Sequence, residues 1–305
     1  MDRIDAIKAF VAAVDEGSLS GAARRLHRSP AAITRTIAFL EDQVGVELLH
    51  RTTRALRLSD AGERYAVACR RILADLEEAN LAVAGAQAAP RGLLTVTAPV
   101  MFGTRILRPI IDEFLADQEA VQVRYLLLDR IVGLTDEGMD VALRIAHLPD
   151  SGLIATKVGE IRRVVAASPR YLAGRPAIRE PADLAAHTCI THGEVGQSVT
   201  WSFPPKAGTS GPRHVRVSPR LHVNLIESAV RSAAEGHGIV HVLSYQIEQE
   251  VRDGSLVILL ADDEPEPLPV HLVTPDGRLG IAKVRAFVDF AAVRVRARLR
   301  SMAVG

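Results

Sequence analysis

Cysteine is nearly absent from this chain of 305 residues. There are two, Cys69 and Cys189, far apart and outside any metal or redox spacing. That excludes a disulfide scaffold, a zinc module and a CxxC centre, and it fits a reducing compartment. Long apolar runs are missing as well. No stretch of about 18 apolar residues occurs, and the opening "MDRIDAIKAF" lacks an apolar core of signal-peptide length. The expected location is therefore the cytoplasm, with no membrane partner. Histidines 187, 192, 214, 222, 237, 241 and 271 are scattered without ligand spacing, so neither a metal nor a cofactor is expected. "GHG" at Gly236 lacks the rest of a dinucleotide fingerprint. "HTCITH" sets Cys189 between two histidines without any catalytic signature, and a short strand with polar neighbours accounts for it. No enzyme is expected.

Net charge is scarce too, at +1. Its distribution is uneven. Residues 24 to 57 carry seven arginines (24, 25, 28, 35, 51, 54 and 57) against Glu41, Asp42 and Glu47, which leaves +4 there and −3 elsewhere. A local basic cluster on a near-neutral chain is the footprint of a nucleic-acid-binding end, and a solvated charged face is the alternative.

The residues around that cluster give it a shape. Ile7, Phe10, Val11 and Val14 form one apolar helical face, and the chain breaks at Gly17. Ser18 can cap a short helix whose Gly21, Ala22 and Ala23 permit close packing. Ser29 followed by Pro30 reads as a cap and a proline-tolerant first position, opening a further helix. Ile33, Ile37, Leu40 and Val44 form its apolar stripe, while Ala31, Thr34, Arg35 and Ala38 share the other face. Small residues there allow close approach, and Thr34 and Arg35 can hydrogen-bond to polar edges. Helix, short helix, turn, helix is a helix-turn-helix, whose second helix enters the major groove. Leu48 to Arg51 and Ala55 to Leu58 then read as a hairpin or wing, with Arg51 and Arg54 placed to meet phosphates.

The segment "GSLSGAARRLHRSPAAITRTIAFLEDQVGVELLHRTTRALRLSDAG" resembles the DNA-binding segment of the LysR-type transcriptional regulators over more than forty ordered positions. The resemblance implies base and backbone contacts from Ser29, Pro30, Ala31, Thr34 and Arg35, with Arg51 and Arg54 as wing contacts. Two positions depart from the family pattern. Pro30 replaces a common glutamine, removing an amide that can read adenine, and Thr34 replaces a serine. Base preference is therefore not transferable from relatives.

A long helix is expected after Ser59 as cap. Tyr65, Cys69, Ile72, Leu76, Ala79 and Val83 step by four and three, a heptad seam suited to pairing with a second copy; packing on its own wing domain is the alternative. In the resembled family this helix forms the dimer, and Cys69 is then a small seam residue. "GAQAAPRG" ends the helix and marks a linker. Beyond it strand and helix signals alternate, which argues an α/β domain with largely parallel sheets. "VRVRARLR", Val293 to Arg300, alternates in a way that suits a strand, so the last helix is expected to fray there.

"VTAPVMFG", "LDR", "GMDVALRI", "SPRYLA", "TWSF" and "GHGIVHVLS" are similar to the family's sensor domain, especially in one large branch. The resemblance implies a fold of two parts: an N-terminal all-α winged helix-turn-helix plus long linker helix, and a C-terminal α/β periplasmic-binding-protein-like domain of two subdomains. The expected boundaries are 1–58 for DNA binding, 59–91 for linker helix and hinge, and 92–305 for sensing. Subdomain I then comprises 92–162 and 268–305, and subdomain II 163–267. The implied partners are double-stranded promoter DNA, a small-molecule effector (an organic anion or aromatic compound), a second copy through the linker helix, a homotetramer, and RNA polymerase. Nucleoid association goes with them. Peroxide-sensing relatives use two cysteines in the sensor domain, and only Cys189 lies there.

Ligands of open α/β sheets sit beyond strand ends next to helix starts. Val100, Met101, Phe102, Gly103 and Thr104 are therefore the expected effector wall, with free N–H groups favouring an anion. Leu128 and Asp129, Thr200 and Trp201, and Asn224 and Leu225 follow by position. Arg144 is expected to pair with an internal acid such as Asp140, with a ligand carboxylate as the alternative. Two competing readings are a transport-type solute binder, which the N-terminal module disfavours, and an α/β enzyme, which no nucleophile or phosphate loop supports.

Overall fold

The computed structural model describes all residues except 1, 52–55, 84–88, 150, 194–198, 207–210 and 304–305. They form two compact units, Met1–Gly92 and Leu93–Gly305.

The first unit opens with α1 (Arg3–Asp15), α2 (Leu19–Arg25) and α3 (Pro30–Val44). Each start has a side-chain cap: Asp2 accepts from the Ile4 N–H, Ser18 from Gly21 and Ser29 from Ala32. Gly45, at φ +76°, ends α3 in the left-handed conformation that favours glycine. Strands β1 (Leu49–Arg51) and β2 (Leu56–Leu58) pair antiparallel as the wing. Glu41 fastens the wing to α3, its Oε1 accepting the N–H groups of Leu48 and Leu49 at 2.9 and 3.1 Å. Phe10, Ile33, Ile37, Leu40, Leu48 and Leu49 fill the core.

Helix α4 (Asp60–Val83) begins at Ser59, whose Oγ accepts from the Gly62 N–H and donates to the Glu47 carbonyl. Its expected seam divides. Cys69 is fully buried and Tyr65 packs 5.9 Å from Phe10, so both join the core of their own unit. This corrects their assignment to a pairing seam. The first turns of α4 lie across α1, and Gly62, Ala66 and Cys69 form the face turned inward. One turn further on that cover ends, and Ile72 and Leu76 are 44% and 37% exposed. The Ala79 and Val83 side chains lie outside the described residues.

In the second unit, β3 (Gly92–Ala98) leads into a continuous helical run: α5 (Val100–Phe102), a π-helical turn (Gly103–Leu107) and α6 (Arg108–Asp117). There follow β4 (Val121–Leu127), β5 (Val141–Ile145), β6 (Leu153–Ile161), β7 (Arg163–Ala167), α7 (Pro169–Leu172), β8 (Thr188–His192), β9 (Thr200–Phe203), β10 (Arg213–Arg216) and β11 (Ser218–Val223). The chain continues through α8 (Ile226–Ala234), β12 (Val240–Leu243), α9 (Glu248–Arg252), β13 (Val257–Leu259), β14 (Leu268–Pro275) and α10 (Ala282–Ala303). One sheet has the order β4-β3-β5-β14-β6 and another β12-β7-β13, with β8 paired to β11 and β9 to β10.

The sheets are mixed, not largely parallel. β3 and β5 run parallel, as do β8 and β11, but β14 is antiparallel to both β5 and β6, and β12 and β13 are antiparallel to β7. The cause is how the chain changes sheet. It leaves on β6, enters β7 after Arg162, and returns along β14 with no crossover helix to restore direction. An ion pair ties the two crossings, with Arg162 Nη1 at 3.1 Å from Glu264. Helix α10 stays helical through "VRVRARLR", contrary to the expected fraying. Val295 and Leu299, four apart, are buried, and the Arg294 guanidinium lies 3.3 Å from the centre of the Phe290 ring. Period four therefore prevails over the apparent alternation.

Candidate functional sites

On α3, burying Ile33, Thr36, Ile37 and Leu40 leaves Ser29, Pro30, Ala31, Arg35 and Ala38 exposed, with Thr34 beside them half-buried. The Thr34 hydroxyl donates to the Pro30 carbonyl at 3.0 Å, which leaves its oxygen as an acceptor. The basic cluster is partly spent internally. Arg25 pairs with Asp15 at 3.3 Å, and Arg28 with Asp5 at 2.8 Å. The Arg28 guanidinium holds the Asp5 carboxyl below its ordinary range. Arg35 has no hydrogen-bond or ion-pair partner among the described residues, so its guanidinium is available to a ligand. Arg51 closes β1, while its side chain, and the whole of Arg54, lie outside the described residues.

The second unit holds a cleft of about 620 Å³ between its two main sheets. Pro99, Leu128, Asp129 and Arg144 line one side, and His192, Asn224, Tyr245 and Gln246 the other. Leu128, Asp129 and Asn224 are thus brought together as sequence placed them. Tyr245 is buried, which raises its hydroxyl pKa, and packs edge-on against Phe102 at 5.3 Å.

The expected wall at the helix start needs correction. The Val100 N–H donates to Asp129 Oδ1 at 3.0 Å, so a carboxylate of this chain already occupies that terminus. Gly103 is buried, its N–H donates to the Pro99 carbonyl at 2.7 Å, and a Cβ there would collide with Leu127 and Tyr125. The glycine serves close packing of helix on strand. Met101 and Phe102 are core residues, and the Thr104 hydroxyl turns back to the Val100 and Met101 carbonyls. None of Val100, Met101, Phe102, Gly103 and Thr104 lines the cleft. Leu225 is exposed and outside it. Thr200 and Trp201 line a separate chamber.

Arg144 does not pair with Asp140. Four residues along a strand span roughly 13 Å, too far for the contact a helix would give. Asp140 instead accepts the Thr95 N–H at 2.8 Å and pairs with Arg278 at 3.1 Å. Arg144 donates to the Val132 carbonyl at 2.8 Å and lines the cleft. Cys189 is buried and its thiol is pushed up to about 12 by that burial, which removes it as a nucleophile. Among the described residues no cluster of metal-ligand type occurs, and no helix is long and apolar enough to cross a membrane.

Comparison with known proteins agrees with this architecture. Residues 4–63 match the bacterial regulatory helix-turn-helix proteins of the lysR family, and residues 87–295 match the LysR substrate binding domain. A helix-turn-helix-type transcriptional regulator of Xanthomonas campestris pv. campestris is 32% identical, covering 94% of this chain and 83% of its own. The regulator PtxR of Pseudomonas aeruginosa is 32% identical, with 92% and 89% covered. Among solved structures, CrgA of Neisseria meningitidis, a LysR-type transcriptional regulator, superposes with a TM-score of 0.60 at 28% identity, covering 95% of this chain and 98% of that one. The full-length Vibrio cholerae virulence activator AphB gives 0.59 at 25% identity, with 95% and 98% covered. A capped recognition helix beside a wing, a separate α/β unit with a cleft, and matches to both family domains lead to one assignment: the chain belongs to the LysR-type family of bacterial DNA-binding transcriptional regulators.

Proposed function

We propose that this regulator reads its operator with the exposed edge of α3, Arg35 contacting base edges with Thr34, Ala31 and the capping Ser29 beside it, while Arg51 and Arg54 hold phosphates. The observation that carries the reading is Arg35, without a partner among the described residues, on a face of small residues, while Arg25 and Arg28 are already neutralised. Two copies pair through Ile72 and Leu76 of α4, and contacts between sensor units join dimers into tetramers. The effector is a small organic anion or polar aromatic compound in the cleft of about 620 Å³, met by Arg144 and Asn224. Its binding changes promoter occupancy or contact with RNA polymerase, in the cytoplasm at the nucleoid, without chemistry by the protein itself.

The test compares Arg35→Ala and Arg54→Ala on a specific upstream site and on random DNA across salt. Loss of Arg35 is expected to cost about 1–3 kcal/mol on the specific site alone, whereas loss of Arg54 weakens both DNAs and flattens the salt slope. Equal losses for both variants on both DNAs would overturn the division of roles. In the same assay, weak organic acids are expected to shift affinity tenfold, which needs about 1.4 kcal/mol of preference between states, and Arg144→Gln to abolish the shift.

A further inference from the structure

Asp15 is the last residue of α1, and its carboxylate joins three helices. One oxygen, Oδ1, accepts from Nε and Nη2 of Arg70 on α4, at 3.0 and 2.6 Å. The other, Oδ2, accepts from Nη1 of Arg25 on α2 at 3.3 Å. A negative charge is disfavoured at the C-terminal end of a helix, and the last turn of α1 carries no basic residue of its own. The compensating charges come instead from the two neighbouring helices.

The effect of this joint depends on where it lies along α4. The helix is held on its unit by Gly62, packed on the Leu48 carbonyl, and by Ala66 and Cys69 in the core. Apolar contacts between such small groups are non-directional and do little to resist a swing of α4 about Gly62. A guanidinium presenting two donors to one carboxylate is directional. Arg70 makes that contact about 12 Å along the helix from Gly62, just before the exposed stripe of Ile72 and Leu76. Its partners are partly exposed, and ion pairs at such positions add little to stability. The joint therefore acts on the direction of α4 more than on whether the unit folds.

Direction matters because of leverage. Helix α1 packs against both α3 and α4, so the recognition helix stands about two helix spacings, about 16–20 Å, from α4. At that radius a swing of about 10° moves α3 by about 3 Å, close to the rise of one base pair, about 3.4 Å. Through Arg25 the same carboxylate also holds α2, against which α3 packs.

We propose that Asp15 and Arg70 are positioning residues that set the distance between the two recognition helices of a dimer, and with it the half-site spacing the protein accepts. This rests on the pairing through Ile72 and Leu76 and the reading by α3 proposed above.

The experiment titrates the full chain on its specific upstream site and on versions with one or two base pairs added or removed between the half-sites. The parent is expected to bind the native spacing most tightly. In Arg70→Gln and Asp15→Asn that preference narrows about threefold or more, since each dimer loses two joints, while melting temperatures stay close to the parent. Arg70→Lys recovers part of the preference, and the double variant adds little to either single one, because both remove the same contact. Arg64→Gln, exposed on the same helix, leaves the spacing profile unchanged. A merely structural role would lower the melting temperature and weaken every spacing alike. That result, an unchanged profile in Arg70→Gln and Asp15→Asn, or a parent indifferent to spacing overturns the proposal. Light scattering and Arg35→Ala on the parent separate the two levels. A parent that does not pair, or that binds without regard to Arg35, overturns the underlying reading together with the proposal; an unchanged profile in a paired, Arg35-dependent protein overturns the proposal alone.

Discussion

Gly62→Ala is expected to reverse the usual sign of a helix substitution. In an open helix interior, replacing Gly by Ala gains about 1 kcal/mol. Gly62 sits in the first turn of α4, buried against the wing. A Cβ there would lie about 1 Å inside the 3.0 Å limit of real contacts, against the Leu48 carbonyl oxygen, with Leu58 Cδ2 at 3.1 Å. Leu48 cannot yield alone, because Glu41 holds its N–H at 2.9 Å and the Ser59 N–H binds its carbonyl at 3.0 Å. Relief requires α4 and β1 to part by about 1 Å, and overpacking of that kind costs about 1–3 kcal/mol or more. Because the clash is with pinned backbone, the cost lies at the upper end of that range, about 3 kcal/mol, and after the helix gain the net loss is about 2 kcal/mol, or roughly 8–16 °C in melting temperature for a unit of this size. The control is Ala68→Gly, exposed on the same helix and expected to lose about 1 kcal/mol by propensity alone. Calorimetry of the full chain, with hydrogen exchange of the α4 and wing amides, reads both variants. A Gly62→Ala protein as stable as the parent would refute the argument, because the close approach would then carry no energy.

Two further perturbations test other parts of the molecule. Leu76→Lys places a charge on the exposed apolar stripe of α4; light scattering should show loss of pairing and DNA titration a weaker complex, while an unchanged mass and affinity would remove the stripe as an interface. His241 is held neutral by burial, with a folded pKa of about 3 against an ordinary 6.5, so the unfolded chain takes up its proton first. Stability from this group is complete above pH 6.5 and falls as the pH drops toward 3, by up to about 1.4 kcal/mol per pH unit. Melting curves against pH should flatten in His241→Phe, and an unchanged slope would contradict the assignment.

The parts that were legible in sequence are those governed by neighbours along the chain. Caps at Ser18 and Ser29 and the apolar stripe of α3 act within four residues, and the structure realises them. What escaped depends on distant partners. Tyr65 and Cys69 fit a heptad as well as Ile72 and Leu76 do, and only the position of α1 separates the two pairs. "VRVRARLR" has the alternation of a strand, but Val295 and Leu299 meet the core at helical spacing. Strand direction was hidden for the same reason, since β14 takes its orientation from where the chain re-enters the sheet.

The candidate anion site shows how such partners decide function. A helix start after β3 has the geometry for an anion, and the sequence "APVMFGT" carries no sign that the place is taken. Asp129, 29 residues from Val100, caps that N–H. A second anion there would meet the Asp129 carboxylate, a like charge already bonded to the N–H it would need. Positive potential survives where arginines lack internal acids. Among the described residues, Arg35 has none on the exposed face of α3, and Arg144 meets only the Val132 carbonyl in the cleft. Arg25, Arg28 and Arg162, each placed within an ion pair, are indistinguishable from them by composition. The arginines open to an outside anion are therefore identified by subtracting internal pairs, a step that needs the fold.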